Sequence, residues 1–592
     1  MEFSQNFNPW REEACDFGCS QEGHLNMKVF SAAVVAGLVV AGSVVGLLAN
    51  GDGDHGHSGR FEFREDSLVL SRSVYAGTAS TVTIGQTLPP GCVAKTVAVP
   101  LIAGGTTNVK VKCATAGDNG EYPNLADTHN VWNNDTADGS FGVTSPIFLD
   151  NLTTRGELLG TLSIPTDELV TSFSSKSELA VNRSTDGRSI TFVGYHGGPG
   201  FVTAPNQLDV SNSNTPEVVD PTNPVVSNYF RAVLEVDVNG RMTRTDGNGY
   251  SGNNGRAAIK GDSLYYMAGN DNNGGLSASQ LTTTQAGVNL ITSTGAELLV
   301  PNQLPPIPPN INKIGEFGVQ QVGFATADKP GKDNNFRGLT IFENTLYMTK
   351  GSGGNGINTV YQVGNAGALP TPSNAPGNPP SLANVPITIL PGFPTTLASG
   401  VAQDGTGGHP VAFPFGIWFA NAHTLYVCDE GDGTIVAPRI INGQNNVADD
   451  ATLATAGIQK WRLVDGTWQL QYVLQDGLDI GVPYSVANYP AALNPATDGC
   501  RNLTGRVEDD GRVTLYAVTS TMSNNGDQGA DPNKLVRVRD RLEATTLPAS
   551  DGDHDWDDPL GKFVTLRAAN AGEVLRGVSF APRERGDSRD DR

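Results

Sequence analysis

The chain has 592 residues, of which 39 are basic and 61 acidic, and its formal net charge is −22. Charged residues make up only 17% of the chain and glycine contributes 71 residues, a composition typical of a loop-rich all-β protein. So acidic a chain is not expected to bind nucleic acid nonspecifically, because that binding requires clustered Lys and Arg; the charge favours solubility or cation binding.

An apolar segment lies near the start of the chain. Residues 1–26 are polar and unpatterned, and residues 29–49 form an uninterrupted run of apolar and small residues. About 20 such residues can span a bilayer. If translation starts at Met27, residues 27–49 are interpreted as a signal peptide. If it starts at Met1, they form a signal-anchor helix or a signal with an extended n-region. Both interpretations predict an extracellular or cell-surface protein, whose only membrane contact is this segment if it stays uncleaved.

The remainder divides into a linker, one main domain and a tail. Residues 50–60 are interpreted as a flexible linker, and residues 61–582 as the main domain with 88–140 as a long insertion. Residues 583–592 form a charged tail. Further Pro-, Asn- and Gly-rich insertions are interpreted as surface loops, so the main domain needs no splitting.

One hairpin pattern recurs along the main domain. Its clearest copy, at 334–350, reads N-N-F-R-G-L-T-I-F-E-N-T-L-Y-M-T-K. Two alternating strand patterns, Leu339–Phe342 and Thr345–Thr349, flank the two-residue turn Glu343–Asn344. The spacing of roughly 70–90 residues exceeds the roughly 40–50 of common propeller blades, so long insertions are expected. The other copies are predicted at 176–195, 254–268, 414–428 and 501–519.

The pattern is unfinished at both ends of the domain. A first strand stands alone at 576–580, and its missing partner is the strand pattern at 67–71. Pairing of the two would close a ring and leave no exposed sheet edge. We therefore predict an all-β six-bladed β-propeller, closed by the N- and C-terminal strands. Seven blades is the alternative if residues 88–125 or 314–323 form their own sheet, and an open β-sandwich is a further alternative.

Two phrases resemble a known class of propeller. F-P-F-G-I-W-F-A-N-A-H-T-L-Y-V-C-D-E-G-D-G at 413–433 and L-R-G-V-S-F at 575–580 resemble the inner hairpins of six-bladed propellers of the NHL and gluconolactonase-like kind. The stretch 61–582 also resembles exported microbial propeller-like proteins that have no assigned activity. The resemblance implies a fold, but it implies little about function, because propellers host many unrelated activities.

Cysteine positions predict two disulfides. Two of the six cysteines precede the apolar segment, which leaves an even number in an exported domain and three possible connectivities. Cys428 ends the second strand of one predicted blade and Cys500 precedes the first strand of the next. In a propeller these positions lie on the same face of neighbouring blades, which favours Cys428–Cys500 and leaves Cys92–Cys113 as the local pair.

The starts of the predicted innermost strands carry charged residues, which would face a common axis in a closed ring. They are Lys176, Glu178, Arg256, Arg337, Arg501 and Arg576. Such arginines could hold a carboxylate, phosphate or sulfate by forked hydrogen bonds. We therefore predict a binding module for an anionic small molecule, glycan or protein loop on this face, with His196 in the same site. The alternative is that each arginine pairs within the protein and only stabilises the ring.

The ends of the second strands carry oxygen ligands that suit calcium. They are Asn270, Asp271, Asp429, Glu430 and Asp432. The spacing is not that of an EF-hand, and an acidic β-turn is the alternative. The second function considered is a metal-dependent hydrolase or lyase, lactonase-like as the resemblance implies, with a site made of Asp429, Glu430, Asn270, Asp271 and His196. The arginines at the strand starts occupy positions where the resemblance implies some of the metal ligands of a lactonase, which argues against lactone hydrolysis. No G-x-S-x-G, H-E-x-x-H or Walker pattern is present. A purely structural surface protein is a third possibility.

Overall fold

The structure is a computed structural model, and all of its described residues belong to the compact unit Arg60–Arg592. They are 61–75, 83–88, 92–100, 106–111, 113–115, 143–173, 175, 178–207, 213–216, 227–247, 249–252, 254–262, 264–269, 289–292, 336–351, 356–371, 387–396, 412–431, 455–522, 529–548 and 559–584. The segments interpreted as a signal or anchor and as a linker therefore lie outside the described residues, as do Lys176, Asn270, Asp271 and Asp432. Within the described residues, no helix is long and apolar enough to cross a membrane.

Six antiparallel sheets make up most of this unit, and the strands of each follow one another from the innermost to the outermost. Sheet 1 contains Glu573–Phe580, Leu68–Val74, Ile147–Leu152 and Leu158–Ser163. Sheet 2 contains Asn182–Arg183, Ser189–Gly197, Tyr229–Asp237 and Met242–Thr245. Sheet 3 contains Gly255–Gly261, Leu264–Gly269 and Asn289–Thr292.

The other three sheets follow the same plan. Sheet 4 contains Phe336–Phe342, Thr345–Lys350, Thr359–Val363 and Ile387–Ile389. Sheet 5 contains Pro414–Asn421, Thr424–Asp429, Gly457–Val464 and Thr467–Leu474. Sheet 6 contains Ala496–Val507, Arg512–Met522, Lys534–Arg541 and Val564–Ala568. The short 3-10 helix Ala491–Leu493 is the only helical element of the described residues.

Hydrophobic clusters join the sheets into a propeller-like ring. Leu339 and Met348 of sheet 4 pack with Ile259 of sheet 3, for example, and comparable clusters join each sheet to the next in sequence. Leu70 of sheet 1 packs with Val518 of sheet 6, which completes the ring. Each fully buried aliphatic side chain of this kind contributes roughly 1.5–3 kcal/mol. The all-β propeller arrangement predicted from the hairpin pattern is thus confirmed.

The ring closes where the two chain ends of the domain meet. Leu68 pairs with Phe580 and Val74 with Glu573, so the last described strand is the innermost strand of sheet 1. This pairing confirms the prediction drawn from the two unfinished hairpins. Five sheets have the four strands of a complete blade, and sheet 3 has three described strands. The count of six blades therefore stays a prediction.

Turn chemistry explains the hairpins. Glu343 and Asn344 have φ angles of 45° and 56°, and two consecutive left-handed residues are what a tight hairpin turn requires. The strands they join begin and end within a few residues of the predicted bounds. The hairpin of sheet 2 differs from the prediction. Its first strand pairs from Asn182, whereas the sequence pattern predicts that this strand begins at Glu178. Leu179 has a φ of 62°, and a left-handed residue interrupts the extended conformation that a strand needs.

Both predicted disulfides are present. Cys428–Cys500 and Cys92–Cys113 have Cα–Cα distances of 5.3 and 5.8 Å. Disulfides persist in oxidising compartments, so they are consistent with an extracellular protein.

The insertion carrying Cys92 and Cys113 forms two-stranded sheets where it is described, at Thr87–Leu88 with Ala114–Thr115 and at Lys95–Pro100 with Thr106–Val111. A further two-stranded sheet pairs Thr144–Ser145 with Thr171–Ser172. The alternative seventh sheet at 314–323 lies outside the described residues.

Candidate functional site

A β-bulge recurs on the innermost strand of five sheets. At each bulge this strand has one residue more than the strand it pairs with. The residues within the recurring bulge are Arg256, Arg337 with Gly338, Phe415 with Gly416, Arg501 with Asn502, and Arg576. The innermost strands of sheets 5 and 6 each have one further bulge, at Ala420 and at Asp498 with Gly499. A bulge bends its strand and redirects the side chain of the extra residue. The four arginines therefore occupy one structural position in four sheets, and Phe415 occupies it in sheet 5.

The residue after the bulged position approaches the backbone of the next sheet. A Cβ on Gly338 would lie 2.1 Å from the carbonyl oxygen of Phe415. A Cβ on Gly577 would likewise lie 2.5 Å from the carbonyl oxygen of Leu179. The counterpart of the arginines in sheet 2 is therefore Leu179, and the predicted Glu178 is the residue that precedes it.

Glu178 is a buried carboxylate with all of its acceptor positions directed at protein donors. Oε2 accepts hydrogen bonds from Thr171 Oγ1 at 2.8 Å and from the backbone N–H of Ser172 at 3.0 Å. Oε1 accepts from Asn254 Nδ2 at 2.8 Å and from the hydroxyl of Tyr195. Burial, and secondarily the charge of Glu178, raise the pKa of Tyr195, so that hydroxyl remains a donor. The carboxylate of Glu178 thus has no acceptor position left for a ligand.

Glu430 forms an ion pair with Arg501, one of the arginines in the bulges. It follows the second strand of sheet 5, and its Oε2 accepts a hydrogen bond from Arg501 Nε in sheet 6 at 3.3 Å. Both side chains are buried, with 5% of Arg501 and 3% of Glu430 exposed. The guanidinium of Arg337 lies 5.7 Å from the centre of the Phe415 ring. Burial lowers the pKa of Arg337 to about 10, although the charge of Glu430 opposes the shift, so this arginine is charged at neutral pH.

Arg256 differs from Arg501 and Arg576 in its contacts. Only 6% of the residue is exposed, and its Nε is a buried donor with no hydrogen-bond partner. No hydrogen bond joins its guanidinium to the part of the chain that the structure describes. Burial, and then the charge of Arg337, lower the pKa of Arg256 well below its usual value, while Glu178 and Glu430 oppose the shift. We call Arg256, Arg337, Arg501, Glu178 and Glu430 the arginine cluster.

The guanidinium of Arg576 donates hydrogen bonds to the protein from all three of its nitrogens. Its Nε donates to Ser73 Oγ at 3.0 Å, and its two terminal nitrogens donate to the carbonyl oxygens of Phe173 and Ser175. The residue is 4% exposed. Its guanidinium therefore joins the closure sheet to the segment that leads into sheet 2, which is the stabilising role considered as the alternative for the arginines.

The predicted metal ligands are only partly described. Asp429 is fully buried, and its carboxylate accepts hydrogen bonds from the N–H groups of Phe413 and Gly431 and from Gln459 Nε2. Burial outweighs these donors and raises the pKa of Asp429 to about 7. Among the described residues, no three His, Cys, Asp or Glu side chains are grouped as a metal site requires.

His196 belongs to a different environment. Its Nδ1 lies 3.1 Å from Asp246 Oδ2, and its ring stacks on Phe230 at 6.2 Å. The side chain is 20% exposed. These contacts lie on sheet 2, and none of them involves a member of the arginine cluster.

Several residues of the site were not singled out from the sequence. Asn254 and Thr171 hold Glu178, and Gln459 holds Asp429. Arg231 is fully buried and donates to the carbonyl oxygens of Ser213 and Tyr229. The only sequence signal for Arg231 is a cation within the otherwise apolar alternation of its strand, and the signal for Asn254 is its place just before Gly255 and Arg256.

No protein-family model matches the sequence, and no curated protein sequence matches it. Among solved structures, one similar chain is the soluble aldose sugar dehydrogenase of Escherichia coli in its apo-form, at 12% identity and a TM-score of 0.30, covering 64% of this chain and 91% of that one. Another is cobalt-substituted ACO of Synechocystis, at 10% identity and a TM-score of 0.20, covering 84% of this chain and 66% of that one.

A third similar structure is an ACO/RPE65 chimera, at 10% identity and a TM-score of 0.28, covering 88% of this chain and 97% of that one. Similarity at this level carries no argument about activity, substrate or cofactor. The predicted NHL and gluconolactonase-like relationship stays a prediction.

Proposed function

We propose that this protein is an exported propeller, six-bladed when sheet 3 is counted as a blade, that binds an anionic small molecule at the arginine cluster. The single observation that carries the proposal is that Arg256 is buried and that its Nε has no hydrogen-bond partner. A buried guanidinium without hydrogen-bond partners is costly, because desolvation of the charge is not repaid by any contact. An anion that accepts from its N–H groups would supply the contacts that the described protein does not.

The burial of Arg256 also bears on the kind of ligand. With 6% of the residue exposed, a ligand must reach into the ring to touch the guanidinium. A small molecule does this more readily than a folded protein surface or a branched glycan. We therefore favour the small molecule over the other two anionic partners considered from the sequence.

Calorimetric titration tests the proposal. Sodium acetate, sulfate and phosphate are titrated at constant ionic strength into the wild type, Arg256→Met and Arg188→Met. Arg188 is the matched control, because its side chain is 49% exposed and pairs with Asp186 in a hairpin turn. We expect at least one anion to bind the wild type and the Arg188 variant equally, and to bind Arg256→Met about 10- to 100-fold more weakly, the scale of one charged hydrogen bond. Equal binding to all three proteins would contradict the proposal.

A metal-dependent hydrolase or lactonase using calcium is the second candidate. Of its predicted ligands, Asn270, Asp271 and Asp432 lie outside the described residues. Asp429 and Glu430 direct carboxylate oxygens at donors of the protein, at Gln459 and at Arg501. These contacts favour the binding module. Calcium-dependent stabilisation that Asp429→Asn abolishes would instead favour the enzyme.

A further inference from the structure

We propose that the side chains of Lys460 and Asp540 condense into an amide bond that links sheets 5 and 6 covalently. Lys460 lies on the third strand of sheet 5, Gly457–Val464, and Asp540 lies on the third strand of sheet 6, Lys534–Arg541. Lys460 Nζ is 3.1 Å from Asp540 Oδ2, and neither side chain is exposed to solvent. Neither residue belongs to the arginine cluster, so this proposal is independent of anion binding.

The pair is enclosed by the apolar contact between the two sheets. Tyr426, Val536 and Val538 belong to the hydrophobic cluster that joins sheets 5 and 6. Desolvation of two charges opposes their attraction, so an ion pair gains little in such a place. Burial lowers the pKa of Lys460, and the charge of Asp540 opposes this shift. Transfer of one proton from Nζ to the carboxylate therefore gives an amine beside a carboxylic acid at a lower cost than in water.

Two tyrosine hydroxyls are directed at the carboxyl group. Tyr426 Oη donates to Asp540 Oδ2 at 2.6 Å, and Tyr472 Oη donates to Oδ1 at 2.7 Å and to Oδ2 at 2.9 Å. Burial, and then the charge of Asp540, raise the pKa of both tyrosines, so their hydroxyls stay protonated. Donors placed in this way stabilise the negative charge that develops on a carboxyl oxygen when a nucleophile adds to the carbon.

The contacts of Nζ direct its lone pair toward Asp540. The amine has two N–H groups, and the carbonyl oxygen of Arg541 at 2.5 Å and Tyr472 Oη at 3.0 Å accept them. Nζ then attacks Cγ of the carboxylic acid. The N–C bond forms, one C–O bond breaks, and the departing hydroxyl leaves with a proton of Nζ as one water molecule. No oxidant or reductant is needed, and a neutral amide replaces a buried ion pair.

A more exposed group of similar residues provides an internal control. Lys260 Nζ lies 2.5 Å from Glu235 Oε1, and the hydroxyl of Tyr265 donates to Glu235 Oε2. The side chains of Lys260 and Glu235 are 20% and 14% exposed. Water stabilises the charged forms of both groups at this site, so we expect no amide bond between them.

Peptide mapping by mass spectrometry tests the proposal on the purified wild-type protein, which is reduced, denatured and digested. We expect a branched peptide that joins residues 460 and 540 and is lighter by one water than its two component peptides together. Lys460→Met should lack this peptide, and the wild type should contain no such peptide for residues 260 and 235. Wild-type protein in which Lys460 and Asp540 occur only in separate, unmodified peptides would overturn the proposal.

The tyrosine hydroxyls are tested by Tyr426→Phe, Tyr472→Phe, which keeps both rings. The branched peptide is quantified in fresh protein and during incubation at pH 7. We expect the bond to be nearly complete in the wild type and to form about 100-fold more slowly in the double variant, the scale of a positioned proton donor. Both single variants are measured too, so the result does not depend on the folding of the double variant. Unchanged rates in folded variants would overturn the role assigned to the hydroxyls.

Discussion

The Nε of Arg501 lies 3.3 Å from Oε2 of Glu430 in the neighbouring sheet, and both side chains are almost fully buried. Arg256 occupies the corresponding bulge of sheet 3, yet no described residue hydrogen-bonds to its guanidinium. Equivalent positions in the ring therefore have different contacts. We expect these contacts, rather than the position in the ring, to decide which arginines stabilise the fold.

Removal of one partner of the Arg501–Glu430 pair should destabilise the protein. Arg501→Met leaves the Glu430 charge buried beside a methionine, and we expect the free energy of unfolding to fall by about 3–5 kcal/mol. Chemical denaturation measures this change. The double variant Arg501→Met, Glu430→Gln should recover most of the loss, because no carboxylate is then left unpaired. A double variant as unstable as the single one would show that the pair is not the cause.

Arg576 should be a stabilising residue without a role in binding. Arg576→Met removes the donors to the carbonyl oxygens of Phe173 and Ser175, and we expect a loss of about 3 kcal/mol in the free energy of unfolding. Acetate affinity should match that of the wild type, since Arg576 is not part of the arginine cluster. Calorimetry on the folded variant tests this, and a tenfold loss of affinity would place Arg576 in the ligand site.

Much of the fold could be predicted from local sequence. The turn Glu343–Asn344 marks a hairpin because two consecutive left-handed residues join its strands, and the unfinished end hairpins predict the pairing of Leu68 with Phe580. The disulfide Cys428–Cys500 follows from the hairpin positions. Each of these features depends on residues a few positions apart or on the repeat itself.

The roles of the arginines could not be predicted in the same way. The guanidinium of Arg576 donates to carbonyl oxygens about 400 positions away in the chain, and Glu178 accepts hydrogen bonds from Tyr195 of a strand and from Asn254, which precedes another strand. Those contacts depend on the left-handed Leu179 and on how neighbouring sheets meet. Sequence periodicity carries no information on them, so the sequence supports a ring of arginines but does not indicate which one is available.

The titration of Asp429 should make stability depend on pH. Burial raises its pKa in the folded protein to about 7, while the unfolded value is about 3.9. The unfolded state therefore loses this proton first, and folding stability should fall as pH rises from about 4 to about 7, by at most about 1.4 kcal/mol per pH unit. Below pH 4 and above pH 7 this contribution should be constant.

The variant Asp429→Asn isolates this group from the other titrating residues. We expect the difference in unfolding free energy between the wild type and the variant to shift in favour of the variant from pH 4 to pH 7, because the variant has no proton to lose. Urea denaturation at each pH measures it. A difference that stays constant across this range would show that Asp429 does not hold its proton in the folded state.

Removal of the disulfide between sheets 5 and 6 should destabilise the protein more than removal of the local disulfide Cys92–Cys113. Cys428 and Cys500 are separated by 72 residues, and Cys92 and Cys113 by 21. Loop-closure entropy predicts a loss of about 4 kcal/mol for the Cys428→Ala, Cys500→Ala variant, and about 3 kcal/mol for the other pair. Thermal unfolding of both double variants under non-reducing conditions checks the order. A larger loss for the Cys92 and Cys113 variant would contradict it.

The most direct test of anion binding at Arg256 is the unfolding free energy of the wild type and Arg256→Met at increasing acetate concentration. A ligand that binds only the folded state adds RT ln(1 + [L]/Kd), so wild-type stability should rise with acetate and the variant's should not. Without added acetate the variant should be at least as stable as the wild type, because an uncompensated buried charge has been removed. Equal acetate dependence in both proteins, or a variant several kcal/mol less stable without acetate, would show that Arg256 serves the fold and not a ligand.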